Sequence, residues 1–167
     1  MDSFETLPFY RGVSKAYPLD RPSVVRTRKN RTPRDTPIHL HEAADEWFKA
    51  SFSIGYRSEA VFVTPNIFTA RLYGFSPDHC VRVVPMGDYS YCWSSKCSDF
   101  LSLVKDGPSV EELTIRLRRV DYGTTNLASA HQSGNELMLC CDAYIAVPIG
   151  LLPVDIKPAV SHLIIMT

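Results

Sequence analysis

The chain lacks an excess of charge of either sign: 18 lysine and arginine residues balance 18 aspartate and glutamate residues over 167 positions. A neutral total excludes a global field that draws in nucleic acid or anionic membrane, so any such attraction must come from a local patch. Runs of about 18 apolar residues are also missing, which argues against a membrane-spanning helix and against a membrane partner. The first residues show no charged segment followed by an apolar run and a small-residue cleavage site. The expectation is a soluble cytoplasmic protein, or one delivered into a target cell's cytoplasm without the usual signal. Cysteine is sparse and unpaired in pattern. Cys80, Cys92, Cys97, Cys140 and Cys141 form an odd set without the C-x-x-C spacing of a zinc site, so they read as reduced thiols and no metal is expected.

Several catalytic signatures are absent as well. Without G-x-S-x-G, H-E-x-x-H, a Walker A loop or G-x-G-x-x-G, the chain lacks the physical parts of a hydrolase elbow, a zincin, a P-loop enzyme and a Rossmann domain. His39 and His41 are two apart and diverge on a helix, while His79, His131 and His162 are isolated. A cysteine–histidine protease using Cys97 or Cys140 stays open, although nothing marks either thiol as an activated nucleophile.

What is present is ordinary globular composition, 45% hydrophobic and 22% charged, with length for one domain over 1–167. Residues 39–52 place Leu40, Ala43, Ala44, Trp47, Phe48 and Phe52 at helical spacing, predicting a helix with one buried stripe. Residues 60–64 read as a buried strand, and Thr64-Pro65 as a cap opening a short helix that carries Ala70 and Tyr73 and ends at Gly74. A strand over 81–86 closed by Gly87-Asp88, a helix over 98–105, and a capping box at Ser109–Glu112 opening a helix to about Arg118 come next. A polar loop over 122–135 precedes strands over 136–140, 144–148 and 160–166. Residues 21–37, with Arg21, Arg26, Arg28, Lys29, Arg31 and Arg34, read as an exposed basic arm, either a solvated linker or a phosphate-contacting patch. Helices clustered in the first two thirds, with strands outnumbering them in the C-terminal half, predict an α+β fold of packed antiparallel or mixed sheets.

Four motifs carry the functional reading: Phe9-Tyr10-Arg11-Gly12-Val13, Val61-Phe62-Val63-Thr64-Pro65, Ala70-Arg71-Leu72-Tyr73-Gly74 and Gly134-Asn135-Glu136-Leu137-Met138-Leu139. A strand arginine, a strand-end hydroxyl and a glutamate opening a late strand resemble the R-S-E signature of ADP-ribosyltransferases. In order and spacing the resemblance runs from Phe9 to Val147. It implies two small packed sheets around an NAD cleft, with helices mainly in the N-terminal half. It implies Arg11 and Gly12 at the dinucleotide, Thr64 supporting the site, Tyr73 stacking on nicotinamide and Glu136 at the ribose and acceptor.

The chemistry suits these residue types. Loss of nicotinamide from NAD leaves positive charge on the ribose, which a carboxylate stabilises as in glycosidases, and a guanidinium can fork two donors onto the diphosphate. By resemblance the product is a macromolecule, nucleic acid or protein, bearing one ADP-ribose, and the chain is a toxin or effector with a neutralising antitoxin or immunity protein. Gly134 stands where arginine-modifying members carry a second glutamate, which points to another acceptor. Simpler roles also exist: Arg11 as an edge-strand arginine, Thr64 as a helix cap with Ser53 or Ser58 as the site hydroxyl, Tyr73 as core, and Glu136 as a solvated strand start. They correspond to a non-catalytic binding module of the same fold; NAD hydrolysis is the further alternative.

Overall fold

The computed structural model describes residues 1–152. Its frame is a pair of long antiparallel strands, β4 (Cys80–Trp93) and β5 (Leu137–Pro148), in register from Val81↔Pro148 to Trp93↔Leu137. The other edge of β5 is shared by two strands end to end: β3 (Val61–Val63) pairs with Leu137–Leu139 and β2 (Ser23–Arg26) with Ala143–Ala146. β1 (Tyr10–Gly12) lies on the free edge of β4, completing an antiparallel five-stranded sheet. Tyr10 and Thr64 also exchange backbone hydrogen bonds of 2.8 and 2.9 Å. The bent β4–β5 ribbon thus brings partners on its opposite edges into contact.

Both faces of this ribbon are covered where β5 begins. Leu137, Leu139 and Cys141 pack with Phe9, Val63 and Leu127 on one side, whereas Met138 packs with Phe48, Phe100 and Leu113 on the other. Burial on both faces explains the nearly continuous apolar run Leu137–Cys141. The second face is roofed by α1 (Ile38–Phe52), α2 (Tyr56–Glu59), α4 (Leu101–Val104) and α5 (Val110–Arg119). In α1 the expected stripe is buried at Leu40, Ala44 and Phe48, and α5 opens with the expected capping box between Ser109 and Glu112. A third cluster joins Tyr10 and Cys80 to Ile67 and Ala70 of α3 (Ile67–Leu72).

The mixed α+β class agrees with the sequence reading, but its details differ. Hydrogen bonding joins the five strands into one sheet where two were expected, and helices are divided between residues 38–72 and 101–133 rather than gathered early. The basic arm contains β2, which borrows the edge of β5 for its hydrogen bonds. β4 continues beyond Gly87, which sits at φ +70° within a bulge between Met86 and Tyr89 and so bends the strand without ending it. The strands expected over 136–140 and 144–148 are one continuous strand, because β2 and β4 pair with Ala143 from both sides. The polar loop holds α6 (Leu127–Ser133), capped by the Asn126 side chain and closed at Gly134, φ +74°. The helix expected over 98–105 shrinks to α4, and the strand expected over 160–166 lies outside the described residues.

Candidate functional site

A cleft of about 1040 Å³ is bordered by β1, the end of α3, Arg28 and residues 30–36, His41 of α1, Arg57 of α2, Thr64, residues 98–101, Gly134 and Glu136. Its volume is at the upper end of the range for small-molecule sites. Arg11, Gly12, Thr64, Tyr73 and Glu136 all line it, although they come from four separate segments of chain.

Gly12 is fixed by crowding. A Cβ there would lie 2.5 Å from Ala70 O and Tyr73 C, and closer still to Gly74 N, so only glycine lets β1 pass beneath the end of α3. Arg11, on the alternate face of the strand, is paired across the sheet with Val81. Thr64 is buried, and its hydroxyl donates to Gly134 O at 3.3 Å while accepting the Asn66 N–H at 3.1 Å. The cap of α3 is Asn66, whose side chain accepts from the Phe68 and Thr69 N–H groups; the reading of Thr64 as the cap is therefore corrected. Thr64 instead ties the end of β3 to the residue two before Glu136. Tyr73, at the C-terminal cap of α3, is 60% exposed, so it belongs to the cleft rim and not to the core.

Glu136 is held from both ends. Its N–H donates to Ser98 O at 2.8 Å, and its Oε1 accepts the Phe100 N–H at 3.2 Å. Burial pushes its carboxyl above the ordinary glutamate range, with the Arg57 charge and the Phe100 N–H pulling the other way. A carboxylate perturbed by burial and a specific charge partner in a cleft is a candidate for proton or charge chemistry.

Three further cleft residues were not singled out as site residues by the sequence reading, although Arg31 belonged to its possible phosphate-contacting patch. Arg57 is 6% exposed, with its guanidinium carbon 4.4 Å from the centre of the Phe62 ring and 3.9 Å from that of Phe100. It is positioned by Asp45, which accepts the Ser58 N–H at 2.9 Å and the Ser58 hydroxyl at 2.7 Å and so clamps α2. Arg31 donates to Ala60 O at 2.8 Å and stands 5.0 Å from the same Phe62 ring. Burial and the Arg11 charge push Arg31 down to about 10, leaving it charged at neutral pH. His41 is buried, and both burial and the Arg57 charge push its imidazole down, toward the neutral form. A lone arginine in Gly55-Tyr56-Arg57-Ser58-Glu59 gives no pattern to find; Arg31 was visible only as one member of a charge run.

Among the described residues, Arg11, Lys15, Arg28, Arg31, Arg34 and Arg57 line the cleft against Asp35, Asp99 and Glu136, six cations to three carboxylates. None of the six takes part in the ion pairs among the described residues. The chain is neutral, yet its cleft is not. A concave, cationic surface with one perturbed carboxylate suits an anionic ligand and chemistry that develops positive charge beside that carboxylate. No family model, curated protein or solved structure matches the chain.

Proposed function

We propose that the protein is a mono-ADP-ribosyltransferase that cleaves NAD at the nicotinamide–ribose bond and transfers ADP-ribose to a macromolecule. One observation carries this reading: Arg11, Thr64 and Glu136, the three residues that resemble the R-S-E signature, border a single cleft together with Gly12 and Tyr73. The cationic lining is suited to a dinucleotide diphosphate, with Arg11 as its anchor. Thr64 acts by holding Gly134, and through it the approach to Glu136.

In the transfer, the C–N bond to nicotinamide breaks with both electrons leaving on the neutral nicotinamide. Glu136 accepts a hydrogen bond from the ribose hydroxyl and opposes the positive charge of the oxocarbenium-like ribose. The acceptor then bonds to the ribose carbon and loses a proton. Membership of the ADP-ribosyltransferase fold is itself part of the proposal; the α+β class, with β1 and β3 bridged across the long β4–β5 ribbon, is compatible with it. A toxin or effector neutralised by a partner protein follows from the resemblance. Arg28, Arg31 and Arg34 on the cleft wall support a nucleic-acid acceptor alongside protein.

The test is incubation of purified protein with NAD labelled in its adenylate half and a cell lysate, followed by nuclease or protease. Label lost with nuclease identifies a nucleic-acid acceptor, and label lost with protease a protein. Free ADP-ribose alone identifies a glycohydrolase, with water in the acceptor's place. Intact NAD in every condition overturns the catalytic reading in favour of a binding module.

A further inference from the structure

We propose that Arg31 and Arg57, which share the ring of Phe62, form a phosphate-binding subsite of the cleft in addition to Arg11. The subsite lies within the cleft of the proposed function but does not depend on NAD cleavage. Its strongest ground is Arg57. This guanidinium is more than nine-tenths buried, its Nε has no hydrogen-bond partner, and none of its nitrogens bonds to an acceptor among the described residues. A buried charge left without a partner is strongly unfavourable. The faces of Phe62 and Phe100 offset part of that cost and fix the side chain without occupying its donors.

Glu136 is the carboxylate whose charge acts most strongly on Arg57. It lies beyond ion-pair distance, however, and its Oε1 is already engaged by the Phe100 N–H. Arg31 has the same character in milder form: one terminal nitrogen bonds to Ala60 O, and no carboxylate among the described residues pairs with it. The two guanidinium carbons can be no farther apart than the sum of their 5.0 and 4.4 Å distances to the Phe62 centre. Each repels the other, and Arg11 repels Arg31. His41, whose Nδ1 is a second buried atom without a partner among the described residues, borders the same space. Planar forked donors from two arginines match the oxygens of a phosphate dianion better than one carboxylate. The missing counter-charge is therefore assigned to a phosphate of the ligand.

The experiment is calorimetric titration of the full chain with inorganic pyrophosphate, for the unaltered protein and for Arg57→Met, Arg31→Met and Arg116→Met. The expected result is binding that weakens at least tenfold in Arg57→Met and Arg31→Met and is unchanged in Arg116→Met. Ligand-free Arg57→Met should unfold at the same temperature or higher, because it removes an unpaired buried charge while keeping the packing between two rings. The proposal is overturned by absence of pyrophosphate binding, by Arg57→Met binding like the unaltered protein, or by a lower ligand-free midpoint in that variant. Should Arg57→Met not fold, Arg57→Lys keeps the charge without the fork: weaker binding supports the subsite, and equal binding overturns it. Displacement of pyrophosphate by ADP-ribose assigns the bound group to the dinucleotide; simultaneous binding of both assigns it to a phosphate on the acceptor. A failed NAD assay leaves all of these outcomes readable.

Discussion

Arg116 and Arg57 sit in one fold and are treated in opposite ways. On α5, Arg116 gives two N–H bonds to the Asp106 carboxylate, at 2.7 and 2.9 Å, and a third to Leu103 O at 2.9 Å. Its side chain is 31% exposed, so water could have served it. Arg57, far more buried, receives from the described residues only two aromatic faces. The helical side of the molecule shows the first pattern again in Lys49–Asp45 and Lys96–Asp121. Along the cleft, Arg11, Arg31 and Arg57 go without a carboxylate partner among the described residues. Away from the cleft the chain supplies both partners of these ion pairs; along the cleft no carboxylate among the described residues pairs with these cations. That division leaves a chain of zero net charge with a cationic cleft.

The largest break in this comparison should come from Glu136→Gln. It keeps the shape and can keep the contact to Phe100 N–H, but removes the charge, so NAD turnover should fall by about two to four orders of magnitude while the folded signature persists. Unchanged turnover in a folded variant would remove Glu136 from the chemistry. Gly12→Ala tests the cleft's backbone. The new Cβ meets main-chain atoms that have nowhere to go, and equilibrium denaturation should show a loss of about 1–3 kcal/mol, with NAD turnover reduced because β1 must shift.

Asp45→Ala separates positioning from binding. The Ser58 N–H and hydroxyl lose their acceptor, which should lower stability by about 1–3 kcal/mol and weaken pyrophosphate binding by releasing α2 and Arg57. Burial pushes Asp45 up, but the Ser58 and Lys49 contacts outweigh it, and the net shift is downward. Its contribution to stability is therefore complete above the ordinary aspartate pKa and is lost as pH falls through the depressed folded value. A midpoint insensitive to acid in that range would contradict the assignment.

The smallest effect concerns Glu136 and pH. Its folded value is raised, so the native state binds this proton more tightly than the unfolded chain does, and stability should fall as pH rises from the ordinary glutamate value through the raised one. Turnover should rise over the same interval, because the ionised carboxylate is the active form. Opposite signs for stability and activity are the signature to look for. Glu136→Gln should flatten the stability change.

Much of this architecture can be read from local signals. The apolar stripe of α1 and the Ser109–Glu112 capping box state their own structure within a dozen residues. The four motifs also led to one cleft, because a strand arginine, a strand-end hydroxyl and a strand-opening glutamate have recognisable neighbours in sequence. The misread segments are those whose backbone partners are distant. β2 looks like a basic linker until the edge of β5 is available to it. Gly87 looks like a terminator until β5 pairs on both sides of the bulge. In α6 the apolar pair Leu127 and Ala130 and the final Gly134 were visible, but one buried pair in a polar stretch acquires meaning only against the sheet.

The sequence by itself therefore determined the α+β class, the helices with internal caps and stripes, and the residue types needed for a cationic site with one carboxylate. Only the tertiary structure decided which of the charged residues lose their solvent and their partners. Arg57 is an unremarked arginine in a short turn until Phe62 and Phe100 close over it, and Arg31 is one of a basic run until it joins Arg57 beside the Phe62 ring. The physical reason is that charge is a property of the residue, whereas desolvation and neutralisation belong to its surroundings, which are assembled from segments far apart in the chain.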